Sequence, residues 1–559
     1  MKIKTLTNRI FKRCPQSGRI VGIRKDLPAK KILFPIIGII AIVWFIVRVL
    51  PKPSRITYPC QQLASGIGVS FLLYLATFLS TFPVFKLLHK YAHRNLAYLF
   101  IFIFIGGSIV SVGLALNSKD PLPGFSPNEG ANAPIGQAKG IYPGRVAWVR
   151  DTTSTTWDGK SGFWWDDHNT NQKVVNTMFS EMIQAYTGKT TDKESWNALF
   201  RYYNNSHNKG NKSYKKGEKF VIKINCNHDK TSYTWDNEAH PSPAVINTVV
   251  SQLVDIVGVP GDDIIVAEPS QLIGNPIYDK IRANSNPEFK KVWFADKLLE
   301  KAAQRFYPEP DTTSGVYFTI PPTNKIVRYY LPRCYTEATY IINLAIMRGH
   351  RAFGVTMGSK NHFGSIYCLD LQKYVPGKSG SNIGNRPSNN PLLHNFSMWD
   401  YEVSNKTGQP HCSPIILSHK DLGGKELVQI LDGIYPTQTN EKNVVRWKSL
   451  DNHWCSSLLI SQDPIAIQSV GLDLLCNEPN VTKDNPSFTP DLDNFLHESA
   501  LANHPPSGMK YDPENNGKFI SQSLGVHEHW NNPNEKKYSR NLGTGKGIEL
   551  LFLDENSKK

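Results

Sequence analysis

The sequence predicts three transmembrane α-helices followed by an α/β domain with a mainly parallel sheet and flanking helices. Two observations carry this. Residues 32–50, 63–83 and 96–116 are continuously apolar, and each approaches the ~20 residues a helix needs to cross the hydrocarbon layer. From residue 220 onward, short β-branched runs alternate with helical periods, the pattern of βαβ units packed on both faces of a parallel sheet.

The tail, residues 1–31, is basic. Residues 1–117 hold 16 Lys and Arg against one acid, Asp26, whereas the remainder holds 47 basic and 46 acidic residues. A nucleic-acid footprint would lie on the folded domain, so this charge distribution excludes that class and reads as a topology signal. Positive segments stay cytoplasmic. The expectation is an integral membrane protein, held in the lipid bilayer through residues 32–116, with its large domain outside the cytoplasm. The spans carry no acidic residue, so they read as an anchor and not as a transport path.

Residues 117–144 hold five prolines and five glycines and read as a linker. The α/β domain is expected over residues 145–559. Val174, Val175, Met178, Phe179, Met182, Ile183 and Tyr186 recur at helical spacing before Gly188. FVIKIN (220–225) reads as a buried strand, SPAVINTVVSQLVDIVG as a helix and DDIIVAE (262–268) as the next strand. Further strands are expected ending near Asp432 and over 456–461, followed by a helix with Asp463 as N-cap and Pro464 at its first position.

The chemistry concentrates in RGHRAFGVTMGSKNHFGS, Arg348 to Ser365. Its glycines allow backbone N–H groups to approach an anion, and Lys360 with Arg348 or Arg351 supplies charge. It is neither a Walker loop nor a dinucleotide fingerprint. His228, Asp229, Glu268 and Asp432 fall at strand ends, where open α/β sheets bind ligands. In GVHEHW, His527 and His529 alternate along a strand, so both imidazoles could reach one metal; a third ligand would come from elsewhere. No CxxC occurs among the eight cysteines, so no iron–sulfur cluster is expected. Trp148, Trp157, Trp164 and Trp165, beside Asp166, Asp167 and His168, read either as packing anchors or as a sugar platform.

IKINCN with Lys223 and Asn225, the block GHRAFGVTMGSKNHFGS, LDGIY around Asp432 and SQDPIAIQS around Asp463 occur in an order that resembles the domain of unknown function 362 (DUF362) family. SLGVHEHWNN and YSRNLGTGKGIEL look like an extended bacterial version of it, with an N-terminal membrane region. The resemblance covers about residues 145–550, and KNHFG is its most specific element. This chain has Arg348-Gly349-His350 where the family often has Lys-Thr-His, and Gln468 where it often has an acid. The resemblance implies no agreed activity.

The expectation is a site built from Lys223, Asn225, His350, Lys360, Asn361, His362 and Asp432 that takes a small anionic ligand, with room for a divalent metal. The competing reading is a non-catalytic, envelope-associated module binding carbohydrate or another ligand. Catalysis is left open by both.

Overall fold

A computed structural model describes residues 130–226, 236–297, 302–320, 325–350, 353–366, 407–439, 442–483, 485 and 488–554. It also describes a short antiparallel hairpin of Phe11–Arg13 with Ile20–Ile23. That hairpin belongs to one unit, Met1–Lys119, and the α/β domain to another, Asp120–Lys559. The three apolar stretches of residues 32–116 lie outside the described residues; among those described, no helix is long and apolar enough to cross a membrane.

In chain order the domain's strands are β1 (Ile135–Gly136), β2 (Arg145–Arg150), β3 (Phe220–Lys223), β4 (Ile264–Ala267), β5 (Trp293–Ala295), β6 (Arg305–Phe306), β7 (Pro310–Ile320), β8 (Lys325–Pro332), β9 (Tyr340–Ile346), β10 (Arg348–His350), β11 (Gly354–Thr356), β12 (Glu426–Gly433), β13 (Ser457–Ser461), β14 (Val526–His527) and β15 (Glu549–Asp554). Nine of them form one sheet in the order β15-β2-β13-β12-β9-β3-β4-β5-β6. All run parallel except β13, which is antiparallel to both β12 and β2. The central strands read as near-continuous apolar runs because both faces are covered.

Alternate residues serve opposite cores. In β2, Ala147 and Val149 face one cluster while Val146 and Trp148 face the other. The first face carries α1 (Gln172–Thr187), α2 (Asp192–Ser206) and α3 (Pro243–Ser251). Val175, Met178, Phe179, Met182, Ile183 and Tyr186 of α1 are buried there, and Gly188 ends the helix at φ 63°, as a left-handed C-terminal residue should. The second face carries α8 (Pro464–Cys476), entirely buried apart from its first residue. The Asp463 side chain accepts from the N–H groups of Ile465 and Ala466, with Pro464 next in line, so this helix starts as its sequence predicts.

The described end of the stretch expected as a linker is residues 130–144. Residues 130–144 are tied to the domain: β1 pairs with β14, and the Lys139 N–H donates to Asp463 Oδ2 at 2.8 Å. Backbone pairing holds a segment that has little apolar surface to bury.

Candidate functional site

Strand order places a switch point between β3 and β9. From β3 the sheet grows through β4, β5 and β6 in one direction, and from β9 through β12 in the other. Parallel α/β sheets open a ligand crevice at the carboxyl ends of the strands at such a point. Lys223 ends β3, Glu268 follows β4, Arg348 follows β9 and Asp432 lies near the end of β12.

One register row runs Ala267–Lys223–Asn343–Gln429–Ser461 across five adjacent strands. Its three long polar side chains, Lys223, Asn343 and Gln429, are buried, which is tolerable only if they are hydrogen-bonded. The KNHFG stretch supplies partners for Lys223 and Asn343, whereas Gln429 Nε2 donates to Glu426 Oε2 at 2.7 Å. The stretch forms α6 (Gly358–Asn361) and a 3₁₀ turn, His362–Ser365. Lys223 Nζ donates to Glu268 Oε2 and Asn361 Oδ1, each at 2.9 Å, and to the Ile224 carbonyl. Asn361 Nδ2 donates to Asn343 Oδ1 at 2.8 Å and to the Lys223 carbonyl at 3.1 Å. Two glycines permit the approach: a Cβ on Gly358 would overlap the Gln429 amide, and one on Gly364 the Glu268 carboxylate. Asn361 and His362 are thus interior residues. His362 Nε2 pairs with Glu426 Oε1 at 2.8 Å, and its Nδ1 lies 3.2 Å from Ser365 Oγ. Gln468, at the position where an acid is frequent, accepts from both the N–H and the hydroxyl of Ser359 at 3.0 Å.

Arg348, Lys360 and Asn225 form a second group. Arg348 Nη2 donates to Asn225 Oδ1 at 3.0 Å and Nη1 to the Ala239 carbonyl at 3.3 Å. Its Nε is buried with no hydrogen-bond partner. Burial pushes the guanidinium down to about 10, with Glu238, Cys226 and Glu268 acting in the opposite direction. Lys360 Nζ stands over the rings of Phe363 (4.6 Å) and Phe353 (5.7 Å). Burial and then the Arg348 charge push its ammonium down to about 7. His350 Nδ1 accepts from the Phe353 N–H at 3.0 Å, which places its proton on Nε2. Asp432 has a different task. It accepts from the N–H groups of Ser242 (2.8 Å) and Ile434 (3.2 Å), and so fastens the start of α3 to β12; burial raises its carboxyl to about 6. His228, Asp229 and Arg351 lie outside the described residues.

His527 and His529 sit elsewhere, between α8, β14 and α10 (Asn494–Ala500), with rings 4.8 Å apart. His529 Nδ1 meets Asp473 Oδ1 at 2.6 Å and its Nε2 meets Asp493 Oδ2 at 3.2 Å. Burial works against its charge, yet these two carboxylates raise it to about 10. Burial alone would raise the Asp493 carboxyl, but the neighbouring imidazoles, His529 among them, hold it well below its ordinary value. Asp493, His497 and His527 bring ligand atoms within 4.8 Å of one another, as do Asp236, Glu238 and His240 near Arg348. Both groups have a donor set that could hold a divalent ion. Asp493 and His497 were missed in the sequence, where their only signal is an Asp-x-x-x-His spacing that puts both on one helix face.

Trp148, Trp157 and Trp164 are core residues with at most 5 % of their surface exposed, so they serve as packing anchors and offer no sugar platform. A polar cleft of about 620 Å³ opens at the other end of the strands, lined by residues including Tyr202, His207, Glu426, Gln462 and Phe519. It contains none of the predicted site residues.

No curated protein matches the chain. Residues 221–473 match the family described as a domain of unknown function (DUF362). The match begins within β3 and ends within α8, and it encloses Lys223, the Arg348–Ser365 block and Asp432. Over this central stretch, from the strand bearing Lys223 to the helix bearing Asp473, the chain resembles the DUF362 family.

Proposed function

We propose that the domain binds a small anionic molecule at the carboxyl ends of β3 and β9, with Arg348 and Lys360 facing the anion and Asn225 and His350 beside them. The carrying observation is the Arg348 guanidinium, buried at the switch point with its Nε lacking a hydrogen-bond partner. Lys360 and Lys223 lie within electrostatic reach, against the acids Glu238 and Glu268. A carboxylate or phosphate would accept from Arg348 and restore charge to Lys360, gaining charge-assisted bonds in a low-dielectric setting. Binding is what these groups support; no turnover chemistry is assigned to them. Lys223, Asn361 and His362 contribute from beneath as the rigid floor of the site.

The apolar stretches of residues 32–116 and the basic tail support anchorage in a bacterial cytoplasmic membrane with this site outside the cytoplasm. The binding test is calorimetric titration of the detergent-purified full chain with inorganic phosphate and with citrate. One of the two should bind, and Arg348→Ala and Lys360→Met should each weaken it roughly tenfold or more. Absence of binding by both anions, or equal affinity in both variants, would refute the reading.

A further inference from the structure

We propose that Asp493, His497 and His527 hold a divalent first-row transition-metal ion, of the zinc class, inside the domain at the junction of α8, α10 and β14. The three residues come from two elements and are fully buried. His497 Nε2 and His527 Nε2 lie 3.4 and 3.9 Å from Asp493 Oδ2. Ligands bound tetrahedrally at ~2.0–2.1 Å stand roughly 3.3 Å apart, so small side-chain movements complete the geometry.

Two independent features point to a cation. Ser469 has one hydroxyl hydrogen, and it goes to the Ile465 carbonyl at 2.9 Å. With that hydrogen so placed, the 2.8 Å contact between Ser469 Oγ and His527 Nδ1 uses the imidazole proton and leaves a lone pair on Nε2. That lone pair is buried without a hydrogen-bond partner and aims at a carboxylate. Secondly, Asp493 occupies the N-cap position of α10, yet its side chain makes no cap bond. It turns into the cluster, where its Oδ1 is buried and unpartnered. Ser469 and His529, which bonds Asp493 from outside the ligand set, act as positioning residues that orient ligands in the way metal sites require. Imidazole with carboxylate suits zinc and its neighbours. All three ligands lie beyond the family-matched residues 221–473. The ion would also brace Phe495 of α10, which packs 6.0 Å from Phe353, a ring beneath Lys360.

The full chain, purified in detergent without a metal-affinity tag, is analysed for metals and melted before and after chelation. About one equivalent of metal per chain is expected, with a Tm that falls on chelation and recovers with added Zn²⁺. Asp493→Asn and His527→Gln should each retain under about a tenth of an equivalent, while His240→Ala keeps it. The proposal is overturned if the wild-type chain carries no metal and Zn²⁺ leaves its Tm unchanged. Undiminished metal in the two ligand variants would overturn it equally.

Discussion

Lys223 and Glu268 form a 2.9 Å ion pair at the ends of the adjacent strands β3 and β4, with 0 % and 1 % of their side chains exposed. Removing one member of such a pair strands the other charge. Lys223→Met should therefore cost about 3–5 kcal/mol, while Lys223→Met combined with Glu268→Leu should recover most of it. Denaturant unfolding followed by tryptophan fluorescence checks this, and a double variant no more stable than the single would contradict it.

Gly364 lies against the same pair. A methyl group there would overlap the Glu268 carboxylate and crowd Ser270 Oγ, so Gly364→Ala should cost ~1–3 kcal/mol by overpacking. In a Glu268→Leu background the cost should change, because the two positions touch; strictly additive losses would show that the contact is not what constrains this glycine.

Lys360 makes stability pH-dependent. Its ammonium titrates at about 7 in the folded chain against an ordinary value of 10.5. Between these values the unfolded chain binds the proton and the native one does not, so stability rises with pH across that window. The slope is up to ~1.4 kcal/mol per pH unit. At pH 7 and below, the cost of burying the charge is fully present; it is relieved as pH climbs. Arg348 and Lys223 act in the direction of this shift, and Cys412 and Glu268 against it. Relative to Lys360→Met, the wild-type chain should gain stability between pH 7 and 9 at low salt. Parallel unfolding midpoints for the two proteins over that range would argue against it.

Asp463 joins three segments. Its Oδ1 accepts from the N–H groups of Ile465 and Ala466, and its Oδ2 from those of Lys139 and Val526. An ordinary cap is worth ~1 kcal/mol; Asp463→Ala should cost about 2–4 kcal/mol because it also orphans two buried donors. Asp463→Asn keeps one acceptor oxygen and should lose less. Equal unfolding midpoints for the two variants would refute the three-way role.

Strands and helices were legible wherever local sequence sufficed. FVIKIN, DDIIVAE and the Asp463-Pro464 helix start all appear near their expected positions, because β-branched runs and caps act over a few residues. The reversal of β13 was not legible, since a buried run reads alike in either direction. Nor was the hairpin of β7 with β8, although its pairing is local. At the site, the Arg348–Ser365 block was visible as chemistry, but its division was not. Only the register row reveals that Asn361 and His362 face inward on Lys223 and Glu426, while Arg348 and Lys360 gather at the strand ends. The histidines of GVHEHW were conspicuous; the carboxylate beside them, Asp493, was not, because its partners come from a distant strand.

β15, Glu549–Asp554, pairs in parallel with β2, Arg145–Arg150, along its whole length. The first strand of the large sheet must therefore wait for the last. During synthesis, that edge stays open until some four hundred further residues have left the ribosome. A chain stopped before residue 549 would expose Trp148 of β2, whose ring stacks 3.9 Å from Phe552, and would present a bare strand edge to its neighbours. Truncation ahead of β15 is thus expected to promote aggregation before it affects any ligand.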